Sequence, residues 1–131
     1  MVQRMGSERI LIDTSILIDY FRKRNIEKTL FYQLADKYDF SISVITEFEF
    51  LIGFSDDKVA FAKEIIKNME IIEIDTGISE KARHLYFKLK KINKLIPIGD
   101  LFIAATALYY KIPFATLNKK HFENIEGLEL I

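Results

Sequence analysis

Short apolar runs alternate with amphipathic segments along almost the whole sequence, and that alternation restricts the fold more than any other feature. Residues 9–13 (RILID), 40–44 (FSISV), 71–74 (IIEI) and 113–117 (PFATL) are rich in β-branched and aromatic side chains and too short for stable helices. They read as buried strands, with residues 128–131 as a possible fifth at the edge. Between them, apolar residues recur at helical spacing. Ile16, Leu17, Tyr20 and Phe21 share a face within 15–22, and Leu30, Phe31, Leu34 and Tyr38 within 26–38. Ala82, Leu85, Tyr86 and Leu89 do the same within 79–93. Residues 46–54 and 58–69 read as two more helices divided at Ser55-Asp56-Asp57, and 100–110 as an apolar helix. This is the pattern of an α/β domain: a central, mostly parallel sheet of four to five strands with helices on both faces. No repeat or Gly/Ser/Pro linker interrupts the 131 residues, so residues 1–131 read as a single domain.

Composition narrows the function classes. The longest uncharged run, residues 101–110, is half the roughly 20 apolar residues a membrane span needs, so a soluble protein is expected. Residues 1–8 hold no apolar segment of signal-peptide length, and the sequence has no cysteine. Disulfides and thiolate metal sites are thereby excluded, and a cytoplasmic location is expected. Nineteen Lys plus Arg balance nineteen Asp plus Glu. Binding nucleic acid by phosphate neutralisation alone favours a basic chain, whereas a nucleic-acid enzyme can draw positive charge from a bound metal.

In parallel sheets, ligands gather beyond the carboxyl ends of the strands, which directs attention to three acids. Asp13 closes the first strand and is followed by Thr14 and Ser15, either of which can cap the next helix as well as Asp13 can. Glu47 follows the second strand and is spaced from Phe50, Leu51 and Phe54 as if on one apolar face. Its neighbour Glu49 fits a capping box with Thr46. Asp100 opens the helix GDLFIAATALYY in line with Ile103, Ala104, Ala107 and Leu108. Each acid alone is explained as a cap or a first-turn charge. All three at element junctions share one explanation: a hard divalent cation that relieves their mutual repulsion. A carboxylate set without Cys or His suits Mg²⁺ or Mn²⁺, and such ions activate water and clamp phosphate oxygens, which points to phosphodiester hydrolysis.

Several ordered segments resemble PIN-domain proteins, and specifically the VapC-type ribonuclease toxins of prokaryotic toxin–antitoxin pairs. They are Ile10-Leu11-Ile12-Asp13-Thr14-Ser15, Ser43-Val44-Ile45-Thr46-Glu47 with Leu51 and Gly53, and Asp100-Leu101-Phe102-Ile103-Ala104-Ala105. Ala115-Thr116-Leu117-Asn118-Lys119-Lys120-His121-Phe122 and Ile125-Glu126-Gly127-Leu128 complete the set. The resemblance implies a metal-dependent endoribonuclease in which Asp13, Glu47 and Asp100 are catalytic and hold Mg²⁺ or Mn²⁺. Ser15 and Thr116 would support them. Asn118 stands where many members carry a fourth acid. An amide brings no negative charge, which leaves open whether the ions number one or two. The resemblance also implies cleavage leaving a 5′-phosphate and a 3′-hydroxyl, a homodimer, and a small antitoxin whose C-terminal segment blocks the pocket. An antitoxin arginine would match the carboxylates.

Other residues have local explanations. Asp75 reads as a helix cap, and Asp19 as the partner of Lys23 four residues on. His84 and His121 share no metal-ligand spacing and read as surface or packing residues. Lys88, Lys90, Lys91 and Lys94 read as a solvated helix surface. Lys119 and Lys120 directly follow Asn118 and are the better RNA-backbone candidates. Two further readings stand beside the nuclease. One is a PIN-like module that only binds RNA or a partner. The other, a phospho-accepting receiver-like domain, is opposed by the lack of a second acid beside Asp13.

Overall fold

The structure, a computed structural model, describes residues 8–131, so the expectation for residues 1–8 falls, apart from Glu8, outside the described residues. Strand β1 (Glu8–Ile12) leads into α1 (Thr14–Arg22), and a 3₁₀ turn (Ile26–Lys28) and α2 (Leu30–Ala35) precede β2 (Tyr38–Ser43). Helices α3 (Val44–Leu51) and α4 (Val59–Ile66) lead to β3 (Glu70–Ile72). The long α5 (Thr76–Lys91) and α6 (Ile98–Tyr110) then lead to β4 (Phe114–Ala115) and α7 (Lys119–Phe122). All strands pair in parallel in the order β3-β2-β1-β4. The expected fifth strand is a single bridge, Leu130 beside Phe114, with Ile131 N–H donating to the Phe114 carbonyl at 2.9 Å.

Side chains alternate across a strand, and here the alternation fills two cores. Ile10, Ile12 and Ala115 face the layer of α1 to α4, packing with Leu17, Phe40, Phe50 and Ile66. Leu11 and Phe114 face the opposite layer, packing with Leu85, Leu89, Ile103 and Phe122 from α5 to α7. A sheet so covered has continuously apolar strands, which is why RILID lacks a polar face. No helix among the described residues is long and apolar enough to cross a membrane.

Most element boundaries shift by a few residues from the sequence reading, and two of the shifts have clear local reasons. The expected helix over 26–38 divides at Thr29, whose hydroxyl accepts from Tyr32 N–H at 3.2 Å and donates to the Ile26 carbonyl at 2.6 Å. That buried cap restarts the helix at Leu30, and Tyr38 already belongs to β2. Strand β2 ends at Ser43, not Val44, because the Ser43 hydroxyl accepts from Ile45 N–H at 3.1 Å and caps α3. Near the end of the chain, Gly127 has φ +85°, a conformation other residues adopt with difficulty. Gly127→Ala is expected to cost about 1–2 kcal/mol, read as a lower urea midpoint at unchanged slope.

Candidate active site

Strand order reverses at β1: β2 and β3 lie to one side of it and β4 to the other, which makes the gap beyond β1 and β4 the switch point of the sheet. Asp13 follows β1 directly into this gap and is 7% exposed. It is the N-cap of α1, and Oδ1 accepts from Thr14 N–H at 2.8 Å. Oδ2 is left for the gap, where it accepts from the hydroxyls of Ser15 at 2.9 Å and Thr116 at 2.8 Å. Each hydroxyl is fixed in turn by a backbone donor: Leu117 N–H to Ser15 at 3.2 Å and Asn118 N–H to Thr116 at 3.0 Å. The cap and the site are thus one carboxylate used at both oxygens, not competing roles. Every hydroxyl in the network both donates and accepts, which holds Asp13 in one orientation.

Near the second acid, the expected capping box needs correction. Ser43, not Thr46, caps α3, so the capping box expected between Thr46 and Glu49 does not form. Thr46 is buried at the third helical position, and its hydroxyl has no hydrogen-bond partner among the described residues. Glu49 therefore sits mid-helix, and Oε1 accepts from the Thr14 hydroxyl at 2.6 Å. Its Oε2 comes close to α6, 3.3 Å from where a Cβ on Gly99 would stand. Residues two apart on a helix do not share a face. Phe48, 64% exposed, marks the outward direction of α3, with Glu49 turned toward α1 and α6 on one side and Glu47 turned away on the other. Glu47 is half-buried and, among the described residues, forms no hydrogen bond or ion pair with Asp13, Asp100 or their partners.

Asp100 is in the first turn of α6, whose N-cap position is Pro97, so Asp100 is not the cap that residue type alone suggests. Its Oδ2 lies 2.7 Å from His121 Nε2. A carboxylate accepts there, so the imidazole donates from Nε2, which fixes that hydrogen on the ring. His121, read from sequence as a surface or packing residue, thus joins the site. Nothing in residue spacing signals this, because the contact depends on how α7 docks: Phe122 is buried against Phe114, ring centres 4.9 Å apart.

These contacts close a circuit around the switch point. Glu49 meets Thr14, Asp13 meets Thr116, and Asn118 begins the α7 turn that brings His121 to Asp100. Gly99, the neighbour of Asp100, lies against Glu49 and completes it. Asn118 is exposed and makes no side-chain cap bond to α7, leaving its amide toward a hollow of about 400 Å³ shared with Thr116, Leu117, Lys119 and Lys120. Asp75 caps α5 through Ile78 N–H at 2.9 Å, Asp19 pairs with Lys23 at 3.7 Å, and His84 pairs with Glu80 at 3.2 Å, all away from this circuit.

The donor set is chemically suited to a hard cation. Asp13 is a nearly buried carboxylate with no ion pair among the described residues, a state that favours a positive charge nearby. No group of three His, Cys, Asp or Glu side chains among the described residues stands close enough to share an ion directly.

Comparison with known proteins gives the family of the chain. The PIN domain family matches residues 10–128. The chain is 42% identical over 123 residues to "Ribonuclease VapC1" of Methanocaldococcus jannaschii, an alignment spanning 93% of this chain and 85% of that protein. Among solved structures, a toxin–antitoxin complex from Klebsiella pneumoniae superposes with a TM-score of 0.75 at 28% identity, covering 93% of this chain and 95% of that one. DNA-bound VapBC from Salmonella typhimurium shares the fold, with a TM-score of 0.83 at 21% identity over 95% and 97% of the two chains.

Proposed function

The chain belongs to the PIN-domain family, and on that premise we propose that it is a metal-dependent endoribonuclease, the toxin of a toxin–antitoxin pair. The observation that carries this reading is the circuit at the switch point, where Asp13, Glu49 and Asp100 arrive from three separate segments. In this reading Asp13, Glu49 and Asp100 would hold Mg²⁺ or Mn²⁺ between them, in part through bound water, with Glu49 in the role the sequence suggests for Glu47. When bound, the ion supplies positive charge to the phosphoryl oxygens and makes an attacking water more acidic.

The protein's own groups position that chemistry. Ser15 and Thr116 hold Asp13 by hydrogen bonds at 2.9 and 2.8 Å, and His121 holds Asp100 at 2.7 Å. Outer groups of this kind fix the orientation of the acids they touch. Asn118 offers a neutral amide where a fourth acid would add charge, so the site draws its charge from three carboxylates. Lys119 and Lys120, exposed beside it, would meet the phosphates flanking the scissile bond. Cleavage would leave a 5′-phosphate and a 3′-hydroxyl, in the cytoplasm.

An antitoxin is the expected protein partner, its arginine entering the acid site as the fork that matches a carboxylate. Exposed apolar side chains on α3, at its C-cap and on α4 (Phe48, Ile52 and Phe61) offer surface for that partner or for a homodimer.

The deciding experiment incubates the purified chain with single-stranded RNA and Mg²⁺ or Mn²⁺. Cleavage that yields 5′-phosphate ends and stops on chelation with EDTA is the expected result. RNA bound but never cut would favour the binding-only reading, and cleavage indifferent to EDTA would remove the metal from the mechanism.

A further inference from the structure

Outside the acid site, a cavity of about 1040 Å³ runs along the outer face of α5. Lys81, His84, Lys88 and Lys91 line one side at spacings of three and four, so they stand in a row on the helix. Buried Leu85 and Leu89 lie beneath, and Asn124 and Gly127 face them from the segment after α7. Phe87, 53% exposed, stands in the same row, with the Arg83 guanidinium 5.3 Å from its ring centre.

The charge here is segregated. Residues 81–99 hold six Lys or Arg and no acid, although the whole chain is neutral. The acids facing the cavity are few. Glu80 lies 3.7 Å from Arg83 and 3.2 Å from His84, and Glu126 lines the far side. Lys81, Lys88 and Lys91 have no ion pair among the described residues. The helix dipole explains cations in the last turn, at Lys88, Lys90 and Lys91. It does not explain Lys81 and Arg83, more than a turn earlier, nor an exposed aromatic among them.

A row of unpaired cations with an exposed ring suits a polyanion that carries flat apolar groups, and single-stranded nucleic acid is that ligand. Two copies of this face would repel each other, and an acidic peptide would use the lysines but not the ring. Both sides of the cavity are joined along the chain to segments that carry the acid site. Lys91 precedes Asp100 by nine residues, and Asn124 follows His121 by three.

We infer that this groove is a second, sequence-tolerant contact for the single-stranded RNA substrate, made by Lys81, Lys88 and Lys91 on phosphates and by Phe87 stacked on a base. It rests on the ribonuclease reading for the identity of the strand, and the test separates the two.

Binding of fluorescein-labelled single-stranded RNA to the full chain is followed by anisotropy in EDTA, where the strand stays intact. Lys88→Glu combined with Lys91→Glu is expected to weaken binding at least tenfold. The slope of log affinity against log salt should become shallower by about 1.4, roughly 0.7 for each phosphate that is no longer neutralised. Phe87→Ala should weaken binding by about 5- to 100-fold. A control pair on α4 and its end, Lys63→Glu with Lys67→Glu, should change binding little, and thermal melting verifies that every variant is folded. Equal losses in both pairs would reduce the effect to overall charge and overturn the groove, as would unchanged affinity and slope in the α5 pair. Loss of a co-expressed antitoxin with RNA binding intact would also overturn it. If the α5 pair weakens binding while the wild-type chain never cuts RNA in Mn²⁺, the nuclease reading fails and the groove stands.

Discussion

Replacing Glu49 with Gln is expected to lower RNA cleavage by about 10²–10³-fold, the loss typical when one preorganised electrostatic group at a reacting centre is removed. Asp13→Asn should fall in the same range. Glu47→Gln should stay within about twofold, in line with ordinary surface substitutions. The contrast follows from helix geometry. Glu49 faces α1 and α6, accepting from Thr14 at 2.6 Å, while Glu47, two residues earlier, faces away. Both Gln variants keep the side-chain volume, so a fall in activity reports the missing charge and not a packing defect. Binding of Mn²⁺ by calorimetry gives a second readout: it should weaken in Glu49→Gln and Asp13→Asn but not in Glu47→Gln. Loss of cleavage in Glu47→Gln with activity retained in Glu49→Gln would reverse the assignment.

The two glutamates show where the sequence stops being informative. The strands could be read because a sheet covered on both faces needs continuous apolar runs, and RILID and PFATL have no other use in a neutral, cysteine-free chain. The position of Asp13 at the end of β1 was legible for the same reason, and the ends of such strands are where ligands gather. Choosing between Glu47 and Glu49 depended on one cap. Thr46 and Ser43 are both good capping types, and only a cap at Thr46 would have given Glu49 a capping-box role. The Ser43 cap, set by where β2 ends, removes the capping box that the sequence offered for Glu49. The division at Thr29 is similar: its hydroxyl bonds in both directions within the backbone, a choice between helix and cap that composition leaves even. His121 was beyond reach of spacing altogether, because its contact with Asp100 spans 21 residues and exists only through the docking of a four-residue helix.

That docking can be tested, because Phe122 is the side chain that fixes α7 to the core. It is 1% exposed and meets Phe114 edge-on, ring centres 4.9 Å apart. Phe122→Ala should destabilise the fold by about 3–5 kcal/mol, the range for emptying a buried aromatic site. Phe40→Ala, 4% exposed in the opposite core, should cost a similar amount and serves as the comparison. Their effects on function should nevertheless differ. A single helical turn has no stability of its own. Without Phe122, α7 no longer holds His121 against Asp100 or Asn118 beside Thr116. Under conditions where urea titration shows both variants folded, Phe122→Ala should cut specific activity by about 10–100-fold, the usual loss when an outer group that orients an acid is released. Phe40→Ala should cleave RNA like the wild type, molecule for molecule. Phe122→Leu, which refills most of the space, should recover activity together with stability. Equal specific activities in the two alanine variants would mean that α7 packs beside the site without shaping it, and that the hydrogen bond from His121 does not position Asp100 for the reaction.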